Sequence, residues 1–105
     1  MIRAEFYGDR KGFLISGHSG YAGHGEDIVC AAVTSAVRLC DAVIRDSFGV
    51  PAEVSADDSL AEISFRLLAD DERAVGVVRG LRIYLSQLSE EYPDFIKVLE
   101  VTRNA

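Results

Sequence analysis

The hydrophobic period of this chain switches twice from two to about 3.6 and back, and that alternation fixes the kind of fold it can reach. Residues Ile2 to Tyr7 alternate, Gly8-Asp9-Arg10-Lys11-Gly12 supplies turn residues, and Phe13-Leu14-Ile15-Ser16 resumes the strand pattern, which reads as a β-hairpin. From Asp27 to about Ser47 the period is helical. Val29, Val33, Ala36, Cys40 and Val43 recur at spacings of four and three behind an N-capping aspartate, and Gly49 and Pro51 end the helix. Ala52 to Ala56 and Leu60 to Leu68 form a second hairpin around Asp57-Asp58-Ser59, with Ala61, Ile63, Phe65 and Leu67 alternating against Glu62, Ser64 and Arg66. Asp70-Asp71-Glu72 then puts negative charge at a second helix start, and Val75, Val78, Leu81, Ile83, Tyr84, Leu85 and Leu88 carry its apolar face up to Pro93. A strand from Phe95 to Thr102 completes the order ββαββαβ, with no repeat, linker or low-complexity stretch. Paired strands between helices predict an α+β two-layer sandwich, one mixed or antiparallel sheet with both helices on one face. At 105 residues there is room for one core and one domain, residues 1–105.

Charge narrows the partners. Lys and Arg number 11 against 17 Asp and Glu, a net charge of -6, which is the wrong sign for tracking a phosphate backbone or an anionic membrane. Neither nucleic acid nor membrane is expected as a direct partner. No window approaches the roughly 18 apolar residues of a transmembrane helix, and Met1-Ile2-Arg3-Ala4-Glu5 lacks the layout of a secretory signal, so the expected location is the cytoplasm. Cys30 and Cys40 fall on one helix, where ten residues at about 1.5 Å rise separate them by roughly 15 Å. A disulfide needs their α-carbons within about 7 Å, so two thiols with separate roles are expected.

The segment Gly17-His18-Ser19-Gly20-Tyr21-Ala22-Gly23-His24-Gly25-Glu26-Asp27 places four of the nine glycines and both histidines between a strand and a helix start. Glycines that dense permit positive φ and close backbone approach, and they predict a mobile loop. Three chemistries compete for it. A phosphate cradle is opposed by Ile28 where a third glycine is wanted, by the lack of Gly-Lys-Ser/Thr, and by Glu26 and Asp27. A zinc site of His18, His24 and Cys30 has gaps that fit no usual finger or ribbon spacing. The third is a cysteine nucleophile with a histidine base. Cys30 is the third helical residue after Asp27, where unpaired N–H groups and the helix dipole favour a thiolate and can bind an oxyanion. It lies about 100° around from Val29, at the edge of the buried face, whereas Cys40 lies near its middle. His18 ends the strand, and a loop folded back brings its imidazole to the thiol. The Asp27 carboxylate opposes the helix effect on the thiol. A plainer reading stands beside this one: cysteine is among the most buried residue types, and a histidine in a glycine loop is commonly a solvated turn residue.

The run from Gly17 to Thr34 resembles the signature of the ribosomal-processing cysteine proteases, the Prp family. It combines Gly-His-x-Gly-Tyr-Ala, a glycine (Gly25) two before the aspartate, and Asp-Ile-Val-Cys-Ala, with histidine and cysteine twelve apart. Elsewhere the likeness is one of pattern and length. The resemblance implies a cytoplasmic endopeptidase without cofactor or metal, which removes a short N-terminal extension from the twenty-seventh large-subunit ribosomal protein. It implies Cys30 as nucleophile and His18 as proton-transfer partner, with Asp27, Thr34, Gly17, Gly20 and Gly25 in support, in a homodimer with the glycine loop as a cover. Thr34 stands where serine is common in the family, and His24 is a second histidine that can compete for the role of base. The third member of the site stays open among Asp27, Ser16 and a backbone carbonyl. If Asp27 caps the Cys30 amide, the oxyanion donors are those of Ile28 or Val29.

The seven acids Glu53, Asp57, Asp58, Glu62, Asp70, Asp71 and Glu72, set against Arg66, form either a solvated face or a surface that steers a basic ribosomal protein. The rival from another class is a non-catalytic ribosome-assembly binding module that keeps its cysteine for packing.

Overall fold

The computed structural model describes residues 1–23 and 26–102. Strands β1 (Ile2–Tyr7) and β2 (Gly12–Ser16) form the first hairpin, helix α1 spans Ile28–Asp41, β3 (Ala52–Asp57) and β4 (Glu62–Leu67) form the second hairpin, and α2 (Glu72–Glu91) leads to β5 (Ile96–Val101). The five strands lie in the order β3-β4-β2-β1-β5. Both hairpins are antiparallel and meet through an antiparallel β2–β4 pair, with Ser16 opposite Glu62. β5 returns from α2 to run parallel to β1, Ile2 beside Ile96, so the sheet is mixed.

Alternation sorts the strands into two faces. Ile2, Ala4, Phe6, Phe13, Ile15, Phe65, Leu67 and Ile96 point inward and join the buried stripes of both helices in one core. Phe13 stacks on Phe65 with centroids 5.1 Å apart. Burying side chains of this size contributes about 1.5–3 kcal/mol each, which is why the helices stay on this face.

Three sequence expectations shift. The buried stripe of α1 is Val29, Val33, Val37, Cys40 and Ile44, so Val37 and Ile44 replace Ala36 and Val43, which sit half-exposed at its edge. The bulkier side chains turn toward the sheet, and the edge residues face the neighbouring helix instead. The helix does run on to Ser47, but Ala42–Ser47 is wound as π-helix, closed by Phe48 N–H to Val43 O at 2.9 Å. On α2, Ile83 and Tyr84 are exposed rather than core. The second hairpin turn is also longer than the spacing suggests, because the Asp57 carboxylate accepts from Ser59 N–H, the Ser59 hydroxyl and Leu60 N–H. That holds the turn through Ala61, and β4 starts at Glu62.

Gly17 aims the chain out of the sheet. Its N–H donates to Ala61 O at 2.9 Å, its φ is +88°, and a Cβ there would lie 2.5 Å from the Met1 carbonyl oxygen. Only glycine meets both conditions. Among the described residues, no helix is long and apolar enough to cross a membrane.

Candidate active site

Helix α1 begins with Asp27, whose extended backbone and short carboxylate suit it to cap. Its Oδ1 accepts from Val29 N–H at 3.0 Å and Cys30 N–H at 2.9 Å. Oδ2 accepts from the Ser19 hydroxyl, tying the helix start to the loop. The Ser19 hydroxyl holds the Asp27 carboxyl down to about 2, helped by the Cys30 N–H and, more weakly, by the Cys30 thiol and the Ala22 N–H, against the opposing effect of burial. Asp27 is therefore ionised throughout the neutral range. Because the cap takes both Val29 and Cys30, Ile28 N–H is the first-turn amide without a partner among the described residues.

The Cys30 thiol is half-buried at the edge of the helix face, as the wheel predicts. The loop returns to it from β2, and Ser19 N–H donates to Cys30 Sγ at 3.4 Å. The neighbour of His18, rather than its imidazole, thus makes the hydrogen bond to sulfur. His18 is exposed on the segment between Gly17 and that contact, one residue from the donor. The imidazole is exposed, and catalytic hydrogen bonds are often long or poorly aligned until a substrate is bound.

Other expected residues are distributed as follows. Thr34 is one turn beyond Cys30 on the exposed side of α1. Ser16 is half-buried at the end of β2. Gly20 adopts φ +74° in open space, so it is required for its backbone conformation alone. Gly25 and His24 lie outside the described residues. Cys40 is buried at 4% exposure, and burial together with neighbouring Asp41 pushes its thiol up to about 12. It packs in the core, as its wheel position predicts.

Two anchors went unsingled in the sequence. Ser19 is 3% exposed, the one buried polar residue among those described, and its hydroxyl also accepts from Tyr21 N–H at 3.1 Å. Tyr21 makes edge contacts with Tyr92 at 5.7 Å and Phe95 at 5.2 Å, in the α2–β5 connection. The loop is therefore tied at two points, more than its glycine content predicts. The signal for the first was a hydroxyl two residues before a tyrosine and eight before a helix cap; the second joins residues too far apart in sequence for any local pattern.

Together these groups offer a thiol at a helix start, a histidine one residue from the donor to its sulfur and a helix amide without a partner among the described residues, the parts of acyl-transfer chemistry. Residues 1–97 match the family model of cysteine protease Prp. The ribosomal processing cysteine protease Prp of Bacillus subtilis (strain 168) is 26% identical over 91 residues, covering 82% of this chain and 81% of its own. The fold matches the crystal structure of Prp from S. aureus, an essential ribosomal processing protease with a covalently linked product peptide. There the TM-score is 0.86 at 20% identity, over 96% of this chain and 100% of the other. A protein of Streptococcus mutans matches with TM-score 0.80 at 22% identity, over 98% and 96% of the two chains.

Proposed function

The chain belongs to the Prp family of cysteine proteases, and on that premise we propose that it removes the short N-terminal extension of the twenty-seventh large-subunit ribosomal protein during ribosome assembly, with Cys30 as nucleophile and His18 as general base and acid. The observation that carries this reading is the half-exposed Cys30 sulfur in the first turn of α1, in hydrogen bond to the residue that follows His18. Of the two thiols Cys40 is the one buried within the core, whereas Cys30 packs against it only in part and keeps an exposed side.

In this mechanism the His18 imidazole takes the Cys30 proton and the thiolate attacks the scissile carbonyl carbon. The oxyanion is held by helix N-terminal donors, of which Ile28 N–H is the open one. His18 then protonates the leaving amine as the C–N bond breaks, and water hydrolyses the thioester to free the enzyme. Asp27 holds the first turn of α1 in place and orders the loop through Ser19.

A basic substrate is supported by the placement of the acids. Asp57 and Glu62 are paired across β3–β4, and Glu62 lies opposite Ser16, so these two and neighbouring Asp58 share the end of the sheet from which the His18 loop leaves. At the other end Asp70 pairs with Lys11 and Asp71 with Arg73, which makes that half of the acidic surface a solvated face. The reading places the enzyme, one domain over residues 1–105, in the cytoplasm where ribosomes assemble. It also includes a homodimer. Its support is an apolar groove of about 560 Å³ between α1 and α2, lined by Ala32, Ala36, Leu39, Val43, Val77 and Tyr84, with Leu39 at 66% exposure.

Incubation with the extended ribosomal protein, followed by intact mass, tests the proposal. The expected result is loss of the N-terminal extension as a single mass step. An unchanged substrate in the presence of enzyme whose Cys30 is reduced and alkylatable overturns the substrate.

A further inference from the structure

The groups around Cys30 Sγ include one polar residue that is buried, fully engaged and not accounted for by capping. Ser19 spends its single O–H on Asp27 Oδ2 and accepts Tyr21 N–H on its own oxygen. Its backbone N–H goes to Cys30 Sγ. A buried hydroxyl that is satisfied on both sides holds its backbone tightly, since releasing it would strand polar groups away from water.

The electrostatics of the first turn give that arrangement a purpose. Asp27 is ionised and its carboxylate is near the sulfur, which disfavours a thiolate. Two helix amides occupy Oδ1. Ser19 is the strongest donor to the carboxylate, ahead of the weaker Ala22 N–H and the Cys30 thiol itself. The same residue aims an N–H at the sulfur, and a donor to the charged form favours it. The N–H contact acts toward the anion that attacks the substrate, and the hydroxyl contact fixes that N–H in place while occupying the carboxylate oxygen that would otherwise be open to the Cys30 thiol.

We propose that Ser19 is the positioning residue for the Cys30 thiolate, its hydroxyl engaging Asp27 Oδ2 and thereby fixing the N–H that donates to Cys30 Sγ. The proposal rests on Cys30 being the nucleophile. Ser19 touches no substrate in it; the proton leaves for His18, and Ser19 stabilises the sulfur left behind. Gly20 makes the geometry reachable, because its positive φ turns the chain so that Tyr21 N–H comes back onto the Ser19 oxygen.

Alkylation of the full chain by iodoacetamide from pH 6 to pH 10, with the modified residue located by peptide mass, tests this without a substrate. At pH 7, S19A is expected to label at Cys30 about tenfold more slowly than wild type, and the ratio is expected to close toward one by pH 10. S19T, which keeps both donors, is expected to restore at least half of the wild-type rate at pH 7. A ratio that stays constant with pH would show that Ser19 controls access rather than charge, and overturns the proposal. So does S19A labelling as fast as wild type or faster, or S19T labelling as slowly as S19A. Failure of folded wild-type chain to label at Cys30 at any pH removes the nucleophile itself, a distinct result from an S19A that matches a reactive wild type.

Discussion

Cys30 and Cys40 share helix α1, ten residues apart, and meet opposite surroundings. Cys30 lies in the first turn at the margin of the core, with a backbone donor on its sulfur and a capping carboxylate behind it. Cys40 faces the core near the far end of the helix, where burial and Asp41 hold its proton on. The side chains are identical, so the difference comes from position. A helix start supplies unpaired amides and a loop crossing, whereas the middle of the apolar stripe supplies hydrocarbon.

The largest test of that contrast is Cys30→Ala. Cleavage of the extended ribosomal protein is expected to vanish while far-UV circular dichroism and Tm stay near wild type, because the thiol lies at the edge of packing; persistence of wild-type cleavage would move the chemistry elsewhere. His18→Ala is expected to lower kcat by about 10²–10⁴-fold, the usual worth of a positioned acid–base. Greater loss in His24→Ala, in the same assay, would transfer that role to His24.

Smaller effects separate the two thiols further. Cys40→Ala is expected to cost on the order of 1 kcal/mol of stability by denaturant unfolding, through lost packing, with turnover nearly unchanged. A fall in turnover without a fall in stability would reverse the two assignments. The last effect is confined to alkaline pH. The folded Cys40 thiol is raised from 9 to about 12, so its contribution to stability is fully present below pH 9 and is lost as pH rises from there toward 12. Unfolding curves from pH 8 to 10.5 are expected to show a decline that Cys40→Ala lacks. Equal slopes in the two proteins would mean that the burial of this thiol carries no titration penalty.

Much of this contrast is legible in the sequence. Period two and period 3.6 separate the strands from the helices, and the helical wheel puts Cys30 at the rim and Cys40 inside, because each rests on local spacing. Asp27 as a cap is legible for the same reason. The stripe of α1 is less so, since the choice of Val37 and Ile44 over Ala36 and Val43 is made by what the opposing sheet accepts. The parallel β1–β5 pair and the contact of Tyr21 with Tyr92 and Phe95 join residues more than seventy apart, which no window can see. Ser19 illustrates the limit most sharply. It looks like a turn residue, and only the return of the loop onto the helix start gives its hydroxyl and its N–H their partners.

The seating of the loop draws on both the first and the last strand of the chain. Gly17 turns against the Met1 carbonyl, Ile2 N–H donates to Phe95 O, and Tyr21 rests on the connection that feeds β5. During synthesis the strand β5 and the aromatic pair before it are made after every other element. A nascent chain therefore carries Cys30 and the loop long before it has the aromatic platform on which Tyr21 rests. The contacts that seat the loop are completed only once β5 and the connection before it have been made.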